Sequence, residues 1–143
     1  MSIIFSRQCE YALQAILYLA LKPQGEKTSI KELTDHLGLP YHFAAKIFQA
    51  LSRKGLLVST KGSRGGFSLG KPAEEITFYH IVEAVDGVAF LNGCILGFAE
   101  CSSEHPCPLH EKWATMREEF RIMLISKSIL QLAGDMNKPQ YKM

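Results

Sequence analysis

The sequence predicts a mainly α-helical fold with a small β-hairpin wing: a winged helix-turn-helix followed by a long C-terminal helix. Three observations carry that expectation. Two short helix signals are joined by a turn at Gly38, a glycine-rich basic segment separates two short apolar runs between residues 56 and 69, and an apolar stripe recurs at helical spacing between residues 109 and 125.

The elements follow in chain order. Ser6 is the N-cap of a helix from about 6 to 21, in which Tyr11, Ala12, Ala15, Ile16, Leu19 and Ala20 recur near the 3.6-residue period until Lys22-Pro23 stops it. Ser29-Ile30-Lys31-Glu32 has the capping-box pattern and opens a short helix with Ile30, Leu33 and Leu37 inward. Gly38 ends that helix, Leu39-Pro40 starts the next, and residues 41–54 carry Phe43, Ala44, Ile47, Phe48 and Leu51 on one face. Leu56–Ser59 and Phe67–Leu69 read as strands around a tip containing Gly62, Gly65 and Gly66. A helix over about 77–86 points Ile81, Val82 and Val85 inward, and residues 87–108 are irregular. Trp113, Met116, Phe120 and Met123 then follow a 3,4,3 spacing on a helix over 109–125, a stripe suited to a partner helix and hence to a homodimer. Ser126 or Ser128 caps a last short turn through Leu132, before Gly134 and a polar tail. The chain thus divides into a reading unit at 1–75, a linker helix and cysteine loop at 76–108, and a pairing helix and tail at 109–143.

Charge sharpens the first unit. The 143 residues carry a net charge of only +2, but residues 1–80 hold ten Lys/Arg against six Asp/Glu, and residues 81–143 hold six against eight. The 38 residues between Asp35 and Glu74 contain no acid, yet include Lys46, Arg53, Lys54, Lys61, Arg64 and Lys71. A basic, acid-free stretch is the footprint expected where phosphates sit. On the second short helix Tyr41, His42, Lys46, Gln49 and Arg53 present donors to a major groove, and Lys61, Ser63, Arg64, Gly65 and Gly66 form the wing tip. Ser6, Arg7 and Ser29, at helix N-termini, are candidate phosphate contacts. A helical hairpin with a merely solvated outer face remains the alternative. The tip lacks the Gly-Lys-Ser/Thr ending of a nucleotide phosphate loop.

No apolar run approaches the ~20 residues that span a bilayer, and the N-terminus lacks a signal-peptide pattern. A cytoplasmic chain is expected, in which thiols stay reduced. Three of the four cysteines nevertheless cluster, as Cys94-x6-Cys101-x5-Cys107-x2-His110. Compact zinc modules favour two- to four-residue knuckles, whereas these longer arcs suit an iron–sulfur cluster, so zinc is the lesser expectation and a thiol–disulfide switch a third. Cys9 lies in the first helix and reads as a core residue. His36, His42 and His80 form no nucleophile–base arrangement, and no enzyme is expected.

Taken together, Glu10-Tyr11-Ala12-Leu13, Lys46-Ile47-Phe48-Gln49-Ala50-Leu51, Gly55-Leu56-Leu57, Arg64-Gly65-Gly66-Phe67-Ser68-Leu69, Ile76-Thr77, Glu83-Ala84-Val85-Asp86-Gly87 and the three-cysteine loop resemble the Rrf2 family of winged-helix transcriptional regulators. The resemblance runs from Ser6 to about Leu132 and points to the cluster-bearing branch of the IscR and NsrR type. It implies a homodimer on a near-palindromic site in double-stranded DNA, with no membrane association. It also implies a regulator, of the repressor kind, whose DNA affinity is controlled by a cluster sensing redox, nitric oxide or iron–sulfur status. His110 matches the position of that branch's histidine ligand, which favours a 2Fe–2S over a 4Fe–4S cluster, and Glu10 of the partner subunit is the alternative fourth ligand. The first cysteine arc departs from the family's pattern, with six residues in place of five. A small metal-binding or thiol-redox protein without a DNA role, and a zinc- or disulfide-switched winged-helix regulator, are the competing readings.

Overall fold

The computed structural model describes residues 4–137. Six helices and one hairpin follow one another as α1 (Arg7–Ala20), α2 (Ile30–Leu37), α3 (Tyr41–Arg53), β1 (Leu57–Thr60), β2 (Gly66–Leu69), α4 (Phe78–Val85), α5 (His110–Ile125) and α6 (Ile129–Met136). Short 3-10 turns lie at Ala73–Glu75 and Ala89–Leu91. No helix among the described residues is long and apolar enough to cross a membrane.

The helix ends obey the side-chain chemistry at each boundary. The Ser6 hydroxyl accepts from the Cys9 N–H, and the Ser29 hydroxyl accepts from the Glu32 N–H. The expected capping box at Ser29 closes on one side only. The Glu32 carboxylate turns away from the N-cap to take the Lys22 ammonium and, at 2.8 Å, the Tyr18 hydroxyl. Full reciprocal boxes form instead at Thr77/His80 and Ser128/Gln131. Gly38 closes α2 with φ +64°, the left-handed cap that lets the chain reverse into α3.

The hairpin pairs Leu57 with Leu69 and Thr60 with Gly66, so each strand sits about one residue from its expected place. A third segment joins it: the Thr28 and Phe67 backbones exchange hydrogen bonds of 2.8 and 2.7 Å immediately before α2. This crossing fastens the wing to the start of the helix-turn-helix. The crossing is also why a glycine stands at 66, and the closeness of the hairpin's own turn is why one stands at 65. A Cβ on Gly65 would lie 2.0 Å from the Thr60 carbonyl oxygen, and one on Gly66 would lie 2.5 Å from that of Thr28.

Two apolar clusters hold the chain together. The larger gathers Ala12, Ala15 and Ile16 of α1 with Leu33, Ile47, Phe48, Leu51, Leu57, Ile76, Ile81 and Ile129. The smaller joins Cys9, Val82, Leu91 and Leu124, which places α5 and the start of the irregular segment against α1 and α4. The last helix runs to Met136, past the expected end at Leu132. Gly134 lies inside it, and α6 packs back on α1. The expected polar tail falls at 138–143, outside the described residues.

Gly65→Ala is expected to lower stability by about 1–3 kcal/mol, because backbone must move to admit the methyl group. Gly38→Ala meets nothing within 4 Å, so it carries only the left-handed strain of about 1–2 kcal/mol. Urea denaturation of both variants checks the magnitudes, and circular dichroism checks that the helices persist.

Candidate functional site

Two groups of side chains stand apart from the core. The first is a basic face built by α3 and the hairpin. Burial of Ala44, Ile47, Phe48 and Leu51 turns His42, Lys46, Gln49 and Arg53 to solvent, and Tyr41 at the helix start is 64% exposed. A concavity runs from Tyr41, Gln49 and Arg53 across Ile30 to Ser59 and Phe67. It adjoins a second one lined by Ser29, Ser59, Thr60, Gly62, Gly65 and Gly66. The helix face, the N-terminus of α2 and the wing therefore border one continuous surface. Lys61, Ser63 and Arg64 are exposed at its tip. Glu32, the carboxylate of α2's first turn, is held below its ordinary titration range by hydrogen bonds from Lys22 and then Tyr18.

Two further predicted contacts already have partners within the chain. Ser6 directs both its N–H, at 2.8 Å, and its hydroxyl to the Asp86 carboxylate. Arg7 pairs with Glu10 at 3.4 Å and lies over the Tyr11 ring. Gly65 and Gly66 have a steric reason for being glycine that is independent of any ligand.

The second group is the cysteine loop. Cys94, Cys101 and Cys107 are all reduced and half-buried. The His110 Nδ1, at the first turn of α5, lies 3.4 Å from the Cys101 Sγ. Among the described residues no three His, Cys, Asp or Glu side chains converge on a single ion. The four expected donors thus share one loop, with Cys101 and His110 in contact. Backbone N–H groups, that of Leu96 foremost and those of Phe98 and Gly97 with it, point at Cys94 and hold its thiol below the ordinary range against the effect of desolvation. Amides aimed at sulfur suit a thiolate ligand, so the donor chemistry fits a cluster. Cys9 is the opposite case. Burial first, then the charges of Asp86 and Glu10, push its thiol up to about 12, and it is a core residue as expected.

The loop is fastened by a feature the sequence reading missed. On the inner face of α5, Trp113 donates its indole N–H to the Gly93 carbonyl at 2.8 Å, and Arg117 donates to the same oxygen at 3.1 Å. Arg117 also donates to the Cys101 Sγ at 3.3 Å, and Arg121 donates to the Leu91 carbonyl at 3.2 Å. The 113, 117, 121 spacing puts three N–H donors on the side of α5 that faces the chain, although spacing alone does not say what they meet. It also divides the expected pairing stripe. Trp113 and Phe120 are half-buried against their own chain, Phe120 packing on Phe5 and Phe90, whereas Met116 and Met123 are about half exposed.

Comparison with known proteins places these features. The family of iron-dependent transcriptional regulators known as Rrf2 matches residues 5–135. A protein of Aquifex aeolicus named as an HTH-type transcriptional regulator is 35% identical over 120 residues, covering 82% of this chain and 83% of its own. The structure of CymR, the global cysteine regulator of B. subtilis, superimposes with a TM-score of 0.77 at 25% identity, covering 94% of this chain and 98% of that one. IscR of T. potens gives the same TM-score of 0.77 at 20% identity, over 100% and 95% of the two chains, a likeness of fold.

Alkylation of the reduced, metal-free protein with iodoacetamide at pH 8 is expected to label Cys94 ahead of Cys9, since only thiolate reacts. Cys9 should label only after denaturation. Peptide mass spectrometry reads the order, and equal labelling of Cys9 in the folded chain would contradict the burial assigned to it.

Proposed function

The chain belongs to the Rrf2 family of transcriptional regulators, and we propose that it is a DNA-binding repressor whose affinity for its operator is controlled by an iron–sulfur cluster held in the Cys94–His110 loop. The observation that carries this reading is the contact of the Cys101 Sγ with His110 Nδ1 at 3.4 Å, on a loop that also carries Cys94 and Cys107 and is fastened to α5. Three thiols and an imidazole separated by arcs of six and five residues suit a 2Fe–2S centre better than a single zinc ion, which favours shorter knuckles. Cys94, Cys101, Cys107 and His110 would hold it. Glu10 of the partner subunit is the alternative fourth ligand, although in this chain Glu10 pairs with Arg7. When bound, such a cluster supplies one-electron redox chemistry and a target for nitric oxide.

The DNA chemistry belongs to the basic face. His42, Lys46, Gln49 and Arg53 meet base edges and phosphates in a major groove, and Lys61, Ser63 and Arg64 at the wing tip reach the neighbouring backbone. A homodimer on a near-palindromic site uses the flank of α5 that carries Met116 and Met123, with Trp113 and Phe120 beneath it. Loop, α5 and α4 are in contact, so ordering the loop would alter the presentation of the two α3 helices, and half-site spacing turns that into affinity. The rival is a regulator switched by a disulfide between two of the three loop cysteines, all of which are free and half-buried.

Anaerobic purification followed by optical spectroscopy and iron and sulfide analysis decides between these readings. A coloured protein with equal iron and acid-labile sulfide is expected, and Cys101→Ala should bleach it. Colourless protein with stoichiometric zinc, or with a disulfide between two loop cysteines after mild peroxide, would sink the cluster reading. Arg64→Ala should weaken binding of the operator and of unrelated duplex alike and reduce the slope of log K against log salt by about one. Fluorescence anisotropy across a salt series measures this, and a loss confined to one base position would make Arg64 a base reader instead.

A further inference from the structure

We propose that Arg117 is a positioning residue for the cysteine loop, docking it on α5 and raising the reduction potential of a cluster ligated through Cys101; the second effect rests on the reading above, the first does not. Its side chain is half-buried, and one guanidinium nitrogen spans the Gly93 carbonyl at 3.1 Å and the Cys101 Sγ at 3.3 Å. These two acceptors lie eight residues apart, so a single planar donor group ties the first turn of the loop to its middle. Trp113 anchors the same carbonyl, which takes both donors on its two lone pairs.

The charge balance around Arg117 points the same way. Arg7 pairs with Glu10 and Arg121 with Glu118, but no ion pair links Arg117 to a carboxylate among the described residues. A partly desolvated cation is costly unless negative charge lies opposite it. Here the group opposite is a sulfur. A thiolate ligand supplies that charge, and the charge on the sulfurs grows on reduction. An N–H donor and a positive charge at Cys101 therefore favour the reduced cluster. Arg121 is the internal control, since it holds the adjacent Leu91 carbonyl and Asn92 side chain without touching sulfur.

The test compares wild type with Arg117→Met, Arg117→Lys and Arg121→Met. In the cluster-free proteins, hydrogen exchange over residues 94–107 should quicken in Arg117→Met and stay near wild type in Arg121→Met, where any increase is confined to 91–93. In the cluster-loaded proteins, reductive titration with dithionite should place Arg117→Met at a lower potential than wild type, Arg117→Lys between them, and Arg121→Met with wild type. Unchanged exchange in Arg117→Met overturns the docking role. An unchanged potential, or equal shifts in Arg117→Met and Arg121→Met, overturns the tuning role. If no variant or wild type binds a cluster, the reading of the preceding section fails, while the exchange data still decide the docking role. Should Arg117→Met fail to fold, Arg117→Lys and Arg121→Met carry both comparisons.

Discussion

The structure depends on the burial of one stripe of α1. Cys9, Ala12, Ala15, Ile16 and Leu19 are fully or nearly fully shielded, and α1 packs against α2, α3, α4, α6 and β2. The small side chains at 12 and 15 let other helices approach closely. Each buried aliphatic side chain contributes roughly 1.5–3 kcal/mol of hydrophobic stabilisation. The consequence is mechanical. The reading helix α3 and the helix that leads to the cysteine loop, α4, are both seated on the same rod. Asp86, at the end of α4, in turn grips the N-terminus of α1 through Ser6. Displacing α4 cannot leave α1, or the wing attached through Thr28 and Phe67, where it was.

The irregular segment poses the reverse problem. Residues 87–108 form no sheet and only one short 3-10 turn, so their backbone polar groups need partners outside regular structure. Side chains of α5 supply them. Trp113, Arg117 and Arg121 each spend a donor on carbonyls between 91 and 93. Long polar side chains anchored in a helix can hold a loop without a core of its own, and they can also release it. Burial seats only the start of the segment, at Leu91, while Ile95, Leu96 and Phe98 stay about half exposed or more, so beyond residue 93 burial contributes little.

Most of the fold was legible because it is written in local chemistry. Caps at Ser6 and Ser29, the stop at Gly38 and the apolar periods of α1, α3 and α4 each act within a turn or two of helix. What failed was non-local. Glu32 satisfies the capping-box pattern, yet Lys22 and Tyr18, ten and fourteen residues away, compete for its carboxylate and win. Gly134 looked like a terminator, but packing of Ile129 and Ala133 in the core carries α6 through it. No local pattern announces the bond between Ser6 and Asp86, which lie eighty residues apart. In the loop, spacing named the candidate donors but not what each of them touches. Arg117 was invisible because nothing in a one-dimensional spacing says that a guanidinium faces a sulfur.

The fold itself stops short of choosing a signal. CymR and IscR superimpose equally well on this chain, so the backbone alone does not set it nearer to either. The discrimination has to come from features that a backbone superposition does not weigh, namely which side chains line the loop and what they touch. That is the general division of labour between a packed scaffold, which tolerates little variation, and a surface loop, which tolerates much. In this chain the loop places one thiol beside an imidazole and a guanidinium, and turns backbone amides on a second sulfur so that its thiol lies below the ordinary range. These are contacts at sulfur, about which two superimposed backbones carry no information.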